Sequence, residues 1–156
     1  MGHAMGANTA TYTAFHHPER IAGLILVDGA GYRNPDRDLS QPLSEDMIRF
    51  RRVATGSSLA TTRGLLERRV YNPNDVTDEW VENAFRMWVN SAAAIGDMLL
   101  EGGDLTEEEM RQIKLPTLVV WGEDDPVLPP SDARKFERDL PHCERVAMIA
   151  GGGHCP

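Results

Sequence analysis

The first residues of the chain have the spacing of a turn that presents a nucleophile. In the run Gly2-His3-Ala4-Met5-Gly6, two glycines flank a central position, as in G-x-S-x-G, but alanine stands where that motif has serine. Flanking glycines let the backbone approach closely, so that the central side chain is exposed between a strand and a helix. The methyl group of Ala4 cannot attack a substrate. The backbone N–H of Met5 could still stabilise a developing oxyanion at the helix N-terminus.

Two later segments supply a carboxylate and an imidazole, each after a predicted strand. Asp125 lies in the run 122–129, and we expect it to face a histidine, with Asp124 as an alternative that spacing does not exclude. His154 follows three consecutive glycines, whose backbone is free to adopt unusual angles. A histidine oriented by a carboxylate is the arrangement of a general base. Each segment alone is also an ordinary turn, and only their order along the chain favours a site.

Alternating strands and helices would bring these segments together. Residues 6–16 read as a short helix and 21–28 as a nearly unbroken apolar strand, of the kind buried on both faces of a parallel sheet. A strand at 117–121, a helix at 131–139 and a strand at 145–149 follow. This alternation predicts an α/β fold with a parallel sheet, whose strands end at one common edge.

Between these parts, residues 32–114 follow helical periodicity and contain several prolines, which predicts an inserted helical region. We therefore divide the chain into 1–31, 32–114 and 115–156. The longest predicted helix follows Asp78 and carries Met87 and Trp88 on its apolar side. These two residues could contact a substrate, although a methionine and aromatic stripe at helical spacing is more often core.

Composition excludes several classes of function. The chain has 24 acidic and 16 basic residues and a net charge of -8, which opposes binding to nucleic acid or to an anionic membrane surface. Its apolar runs are too short to span a bilayer, and no signal peptide precedes them, so we expect a cytoplasmic protein. Cys143 and Cys155 form no disulfide framework, and the adjacent pair His16-His17 lacks further metal ligands. We therefore expect no metal and no cofactor.

The three segments resemble the active site of the α/β-hydrolase family, in its order of nucleophile, acid and histidine. The resemblance covers nearly the whole chain and implies a partial α/β-hydrolase parallel sheet with a helical lid at 32–114. Residue by residue, it implies Ala4 at the nucleophile position, Met5 N–H in the oxyanion hole and Asp125 orienting His154, which would act as base and then acid.

The resemblance also implies an activity and its loss. Lid-bearing serine hydrolases of this type act, without a cofactor, on small esters or on carbon–carbon bonds of acyl-type substrates. Because Ala4 has no nucleophile, and because strands before the elbow and a helix after His154 would be missing, we expect a truncated chain with impaired activity. The alternatives are a non-catalytic small-ligand binding protein on the same fold and a gene fragment without a function.

Overall fold

The strands of the chain form one parallel sheet at the centre of the fold. The computed structural model describes residues 1–33, 58–101 and 103–156, and only the backbone of 92–101. Within these residues the sheet has the order β1-β2-β3-β4, with β1 at Gly2–His3, β2 at Leu24–Val27, β3 at Thr117–Gly122 and β4 at Cys143–Ile149. Every pairing is parallel, so all four strands end at the same edge, as predicted.

Helices connect the strands in the manner expected of βαβ units. The described helices are α1 at Met5–His16, α2 at Leu59–Glu67, α3 at Asp78–Glu101, α4 at Glu107–Met110 and α5 at Asp132–Asp139. Short 3₁₀ turns occur at Pro18–Arg20 and Pro73–Asp75. Helix α1 packs on β1 and β2, and α5 packs on β3 and β4. The predicted alternation of helices and strands is therefore present.

The core around the sheet lies on one face. Leu26 and Val119 are paired in register and fully buried, and they pack with Trp121 and Phe136. The next residue along β2, Ile25, is 39% exposed. The prediction that this strand is buried on both faces is therefore wrong within the described residues, because α1 and α5 pack on the Leu26 face. An unbroken apolar run shows hydrophobicity but does not show which faces are covered.

The chain divides into two compact units. Unit 1 comprises Met1–Pro35 and Gly103–Pro156, and unit 2 comprises Asp36–Gly102. Of the predicted insertion 32–114, residues 34–57 and 102 lie outside the described residues. Its final part, residues 103–114, belongs to unit 1, and this corrects the predicted boundary. The physical reason is burial, because Leu105, Met110 and Ile113 lie in the core of unit 1, and helical periodicity does not reveal which core a helix joins.

Unit 2 has a core of its own. Leu66 of α2 packs with Val76, Val81, Ala84 and Trp88, which lie in or just before α3. Ser58 begins α2 with a capping box, in which its hydroxyl accepts from the Thr61 N–H and the Thr61 hydroxyl from the Ser58 N–H. In the part of the chain that the structure describes, no helix combines the length and the apolar character needed to cross a membrane.

Candidate active site

Ala4 occupies a strained turn between β1 and α1. Its backbone angles are φ 50° and ψ −117°, a region that residues with a Cβ rarely adopt. Hydrogen bonds to neighbouring segments hold this conformation. The Ala4 N–H donates to the Val27 carbonyl at 3.0 Å, and the Ala4 carbonyl accepts from the N–H groups of Ala7 and Ala30, each at 3.0 Å. The geometry is that of a strained turn from strand to helix, as expected of a nucleophile elbow, and the role of position 4 as the nucleophile position remains a prediction.

The two glycines of the elbow differ in the space that surrounds them. A Cβ added at Gly2 would lie 2.2 Å from the Gly6 carbonyl oxygen, so only glycine fits at position 2. A Cβ at Gly6 would meet no described atom within 4 Å. Position 2 therefore requires glycine for close backbone approach, whereas position 6 has room for a Cβ among the described atoms. The sequence pattern had assigned both glycines the same role.

Met5 begins α1 directly after the elbow. The first N–H groups of a helix have no partner inside the helix, and Ala4 contributes no side-chain cap. The Met5 N–H is therefore at a helix N-terminus, where the helix dipole favours negative charge. This location agrees with the predicted oxyanion donor, whose role remains a prediction.

Asp125 and His154 are brought together at the same edge of the sheet. The Nδ1 atom of His154 lies 2.9 Å from Oδ2 of Asp125, and the two residues are only 3% and 8% exposed. The other carboxylate oxygen, Oδ1, accepts from the N–H groups of Val127 at 2.7 Å and Leu128 at 3.0 Å. These hydrogen bonds fix both oxygens of Asp125. The contact with Oδ2 also orients the His154 ring, and it leaves the other ring nitrogen, Nε2, outside the pair.

The structure distinguishes the two candidate acids. Asp124 is exposed, and its N–H donates to the Gly152 carbonyl at 2.9 Å, which ties the acid-bearing loop to the glycine run before His154. The same two loops meet at Gly122, where a Cβ would lie 2.1 Å from the Gly153 carbonyl oxygen. Asp125, and not Asp124, is therefore the carboxylate that contacts His154.

Hydrogen bonding keeps Asp125 ionised despite its burial. Burial alone would raise the pKa of this carboxyl, but the hydrogen bonds with His154 and from Leu128 and Val127 outweigh it and lower the pKa. An ionised Asp125 accepts the Nδ1 proton of His154. Nε2 of the neutral ring then carries the lone pair that a general base needs.

Two further residues lie beside this pair, and sequence reasoning missed both. Asp28, just after β2, is fully buried with φ 41°, and its Oδ1 accepts from the Gly122 N–H at 2.8 Å. Burial raises the pKa of Asp28. His3 is exposed and donates from Nε2 to the His154 carbonyl at 2.5 Å. The sequence contains one signal for Asp28, because this aspartate directly follows an apolar strand at the edge where the other segments end.

The remaining predicted residues lie elsewhere. Trp88 is 8% exposed in the core of unit 2, whereas its neighbour Met87 is 58% exposed. The burial of Trp88 agrees with the core interpretation, and contact of either residue with a substrate remains a prediction. Cys143 and Cys155 are not joined to each other by a disulfide.

Curated proteins that are similar to this chain in sequence include several hydrolases. The chain is 27% identical over 150 residues to the 2-hydroxy-6-oxononadienedioate/2-hydroxy-6-oxononatrienedioate hydrolase of Comamonas testosteroni, an alignment covering 92% of this chain and 52% of that protein. It is 26% identical over 165 residues to the 2-hydroxy-6-oxo-6-(2'-aminophenyl)hexa-2,4-dienoic acid hydrolase of Metapseudomonas resinovorans, covering 96% and 53%. The chain thus spans about half the length of the curated relatives it matches.

Solved structures with low sequence identity to this chain share its fold. The meta-cleavage product hydrolase of Pseudomonas fluorescens IP01 superposes with a TM-score of 0.77 at 20% identity, over 98% of this chain and 56% of that one. The 2-hydroxy-6-oxo-6-phenylhexa-2,4-dienoate hydrolase of Rhodococcus sp. strain RHA1 gives 0.74 at 18%, with the same coverage of 98% and 56%. These likenesses confirm the α/β-hydrolase fold. The family model described as serine aminopeptidase, S33, matches residues 1–156, and the chain therefore belongs to this family of α/β-hydrolases.

Proposed function

We propose that this chain carries the elbow, acid and base of a hydrolase site for small esters or for carbon–carbon bonds next to a carbonyl, and that Ala4 impairs it. The observation that carries the proposal is the buried Asp125–His154 hydrogen bond of 2.9 Å, at the sheet edge where the Ala4 elbow also lies. The relatives named as dienoate and dienedioate hydrolases support the carbon–carbon class. The same proposal includes a small-molecule substrate and a reaction that uses no cofactor.

In this proposal, each residue of an intact site has a task. A serine hydroxyl at position 4 would lose its proton to Nε2 of His154 as it attacks the substrate carbonyl. Asp125 would hold the ring and stabilise the imidazolium that forms. The Met5 N–H, at the start of α1, would donate to the oxyanion of the tetrahedral intermediate. His154 would then return the proton to the leaving group.

Ala4 removes the covalent step of this sequence. A methyl group forms no acyl-enzyme, so only binding and oxyanion stabilisation would remain. We propose further that unit 2 serves as the lid of the site. In that case Met87, which is 58% exposed, is the better candidate for substrate contact than Trp88, which belongs to a core.

Restoring serine tests the proposal. We expect the Ala4→Ser chain to hydrolyse p-nitrophenyl acetate at least about 100-fold faster than the parent chain, since a general base contributes about 10²–10⁴-fold. The matched control is Ala4→Ser with His154→Ala, which should lose that gain. Equal rates for the parent chain and a folded Ala4→Ser chain would contradict the proposal.

A second candidate function is ligand binding without turnover. The observation that favours it is Ala4 itself, because the strained elbow is kept without a nucleophile. This function predicts that the parent chain binds a 2-hydroxy-6-oxo-dienoate in calorimetry and returns it unchanged. Under this function, Ala4→Ser would bind the same compound without cleaving it.

A further inference from the structure

A cluster of three metal-ligand side chains lies beside the elbow. One ring nitrogen of His3, one carboxylate oxygen of Asp28 and one ring nitrogen of His154 lie within 4.8 Å of one another. The three residues come from the ends of three different strands, β1, β2 and β4. Their convergence follows from the parallel sheet, which brings the carboxyl ends of its strands to one edge.

Asp28 provides an independent indication of a bound cation. Its side chain is fully buried, and while Oδ1 accepts from Gly122, Oδ2 has no hydrogen-bond partner among the described residues. Buried carboxylate oxygens are normally paired, because leaving one without a partner in a low-dielectric site is unfavourable. A cation would satisfy Oδ2 directly.

Each of the three residues also makes a hydrogen bond through one polar atom of its side chain. His154 is fixed through Nδ1 by Asp125 at 2.9 Å, which leaves Nε2. His3 donates from Nε2 to the His154 carbonyl at 2.5 Å, which leaves the lone pair on Nδ1. Metal-binding histidines commonly donate their second ring N–H to a carboxylate or a backbone carbonyl, and ligating carboxylates are themselves hydrogen-bonded. The set has this organisation.

From the donor chemistry we infer that His3, Asp28 and His154 form a site for one divalent transition-metal ion, chiefly Zn²⁺. Two imidazoles and one carboxylate are a ligand set of three-ligand zinc sites, which keep a fourth position open for water or a small ligand. Tetrahedral zinc requires ligand atoms about 3.3 Å apart, so the set must contract. The exposed His3 ring can move, whereas Asp28 and His154 are buried.

Nothing in this inference requires the proposed hydrolase function. The two share Nε2 of His154, but metal binding concerns the parent chain with Ala4, whereas hydrolysis concerns the chain with serine at position 4. Metal uptake is measured without any substrate, and hydrolysis is measured in the presence of a chelator. The failure of one is therefore distinguishable from the failure of the other.

The test is zinc binding by the metal-stripped parent chain, in competition with a chromophoric chelator at pH 7.5. We expect one Zn²⁺ per chain, and affinity at least about 100-fold weaker in Asp28→Asn and about 10-fold weaker in His3→Gln. Asp28→Asn keeps an oxygen that accepts from Gly122, so it removes the ligand with little change to the fold. Circular dichroism and urea midpoints without metal check that each variant is folded.

The matched control is His142→Gln, which removes an exposed imidazole before β4 and should leave affinity unchanged. Co²⁺ in place of zinc should give the intense visible absorption of a four- or five-coordinate site in the parent chain, and lose it in Asp28→Asn. The inference is overturned if the parent chain takes up no stoichiometric zinc. It is equally overturned if uptake is unaffected by Asp28→Asn and depends instead on His16 and His17 or on the two thiols.

Discussion

At the scale of single residues, Ala4 retains a conformation whose usual purpose is to expose a nucleophile. Backbone angles such as φ 50° and ψ −117° cost on the order of 1–3 kcal/mol for a residue with a Cβ. The strain persists because the hydrogen bond from Ala4 to Val27 and those from Ala7 and Ala30 to Ala4 determine the path of the backbone. The turn therefore keeps its strained conformation with alanine at its centre.

The two elbow glycines give a matched pair of substitutions. Gly2→Ala should lower the free energy of unfolding by about 3 kcal/mol or more, because its Cβ would lie 2.2 Å from a backbone oxygen that cannot move aside. Gly6→Ala should raise it by about 0.5–1 kcal/mol, since the position is helical and unobstructed by described atoms. Urea denaturation of both variants measures these values. Similar effects at both positions would show that the elbow is not packed as described.

At the scale of elements, Asp139 joins three segments of unit 1. Its side chain, at the end of α5, is buried and accepts from Arg138 next to it, from Arg111 just after α4 at 2.9 Å, and from the Tyr32 hydroxyl at 3.2 Å. Burial alone would raise the pKa of Asp139, but the hydrogen bonds from Arg138 and Arg111 outweigh it and lower the pKa. The lowered pKa means that the folded state favours the ionised form.

Because its pKa is lowered, ionised Asp139 contributes to the free energy of unfolding, and this contribution is lost at acid pH. An aspartate has a pKa of about 3.9 in the unfolded chain, so Asp139 stabilises the fold above that pH and loses its effect as pH falls through the lower folded value. Asp139→Asn should lower the free energy of unfolding by about 2–3 kcal/mol at pH 7. This is less than the loss expected for a fully buried ion pair, because both arginines are half exposed. The substitution should also flatten the decline in stability below pH 4.

Urea denaturation between pH 3 and pH 7 measures both effects. The control is Glu137→Gln on the same helix, since Glu137 pairs with Arg134 at the surface and should change stability by less than about 0.5 kcal/mol. If the free energy of unfolding declines equally steeply at acid pH in Asp139→Asn and in the parent chain, its pH dependence does not come from Asp139.

At the scale of the whole molecule, the described residues form two separate cores. Unit 1 has the core of the sheet, α1 and α5, and unit 2 has the core that includes Leu66 and Trp88. Each unit therefore has its own source of hydrophobic stabilisation. A substitution in one core is expected to act first on the unit that contains it.

Trp88 and Met87 allow this expectation to be tested with neighbouring residues. Trp88→Ala should destabilise unit 2 by about 3–5 kcal/mol through the cavity it leaves, whereas Met87→Ala, at a 58% exposed position, should change little. Amide hydrogen exchange should show lost protection in α2 and α3 and unchanged protection in β2 and β3. Equal loss of protection in both units would show that they unfold as one.

Much of the sheet and of the candidate pair could be predicted from sequence, for reasons of spacing. Gly2, Asp125 and His154 lie in short segments at strand ends, and strand ends are visible as apolar runs closed by glycine. The choice between Asp124 and Asp125 needed coordinates, because adjacent turn residues differ only in direction. Asp28 and His3 were missed because no motif spacing marks them, although the predicted parallel sheet brings their strand ends to the edge that carries His154.

The central proposal is that His154 can act as a general base toward position 4, and covalent labelling tests it most directly. Ala4→Ser should react with a fluorophosphonate to give one adduct per chain, located at position 4 by mass spectrometry. The parent chain should give no adduct, and Ala4→Ser with His154→Ala should react at least about 100-fold more slowly. A folded Ala4→Ser chain that forms no adduct, or one whose labelling rate is indifferent to His154, would contradict the account.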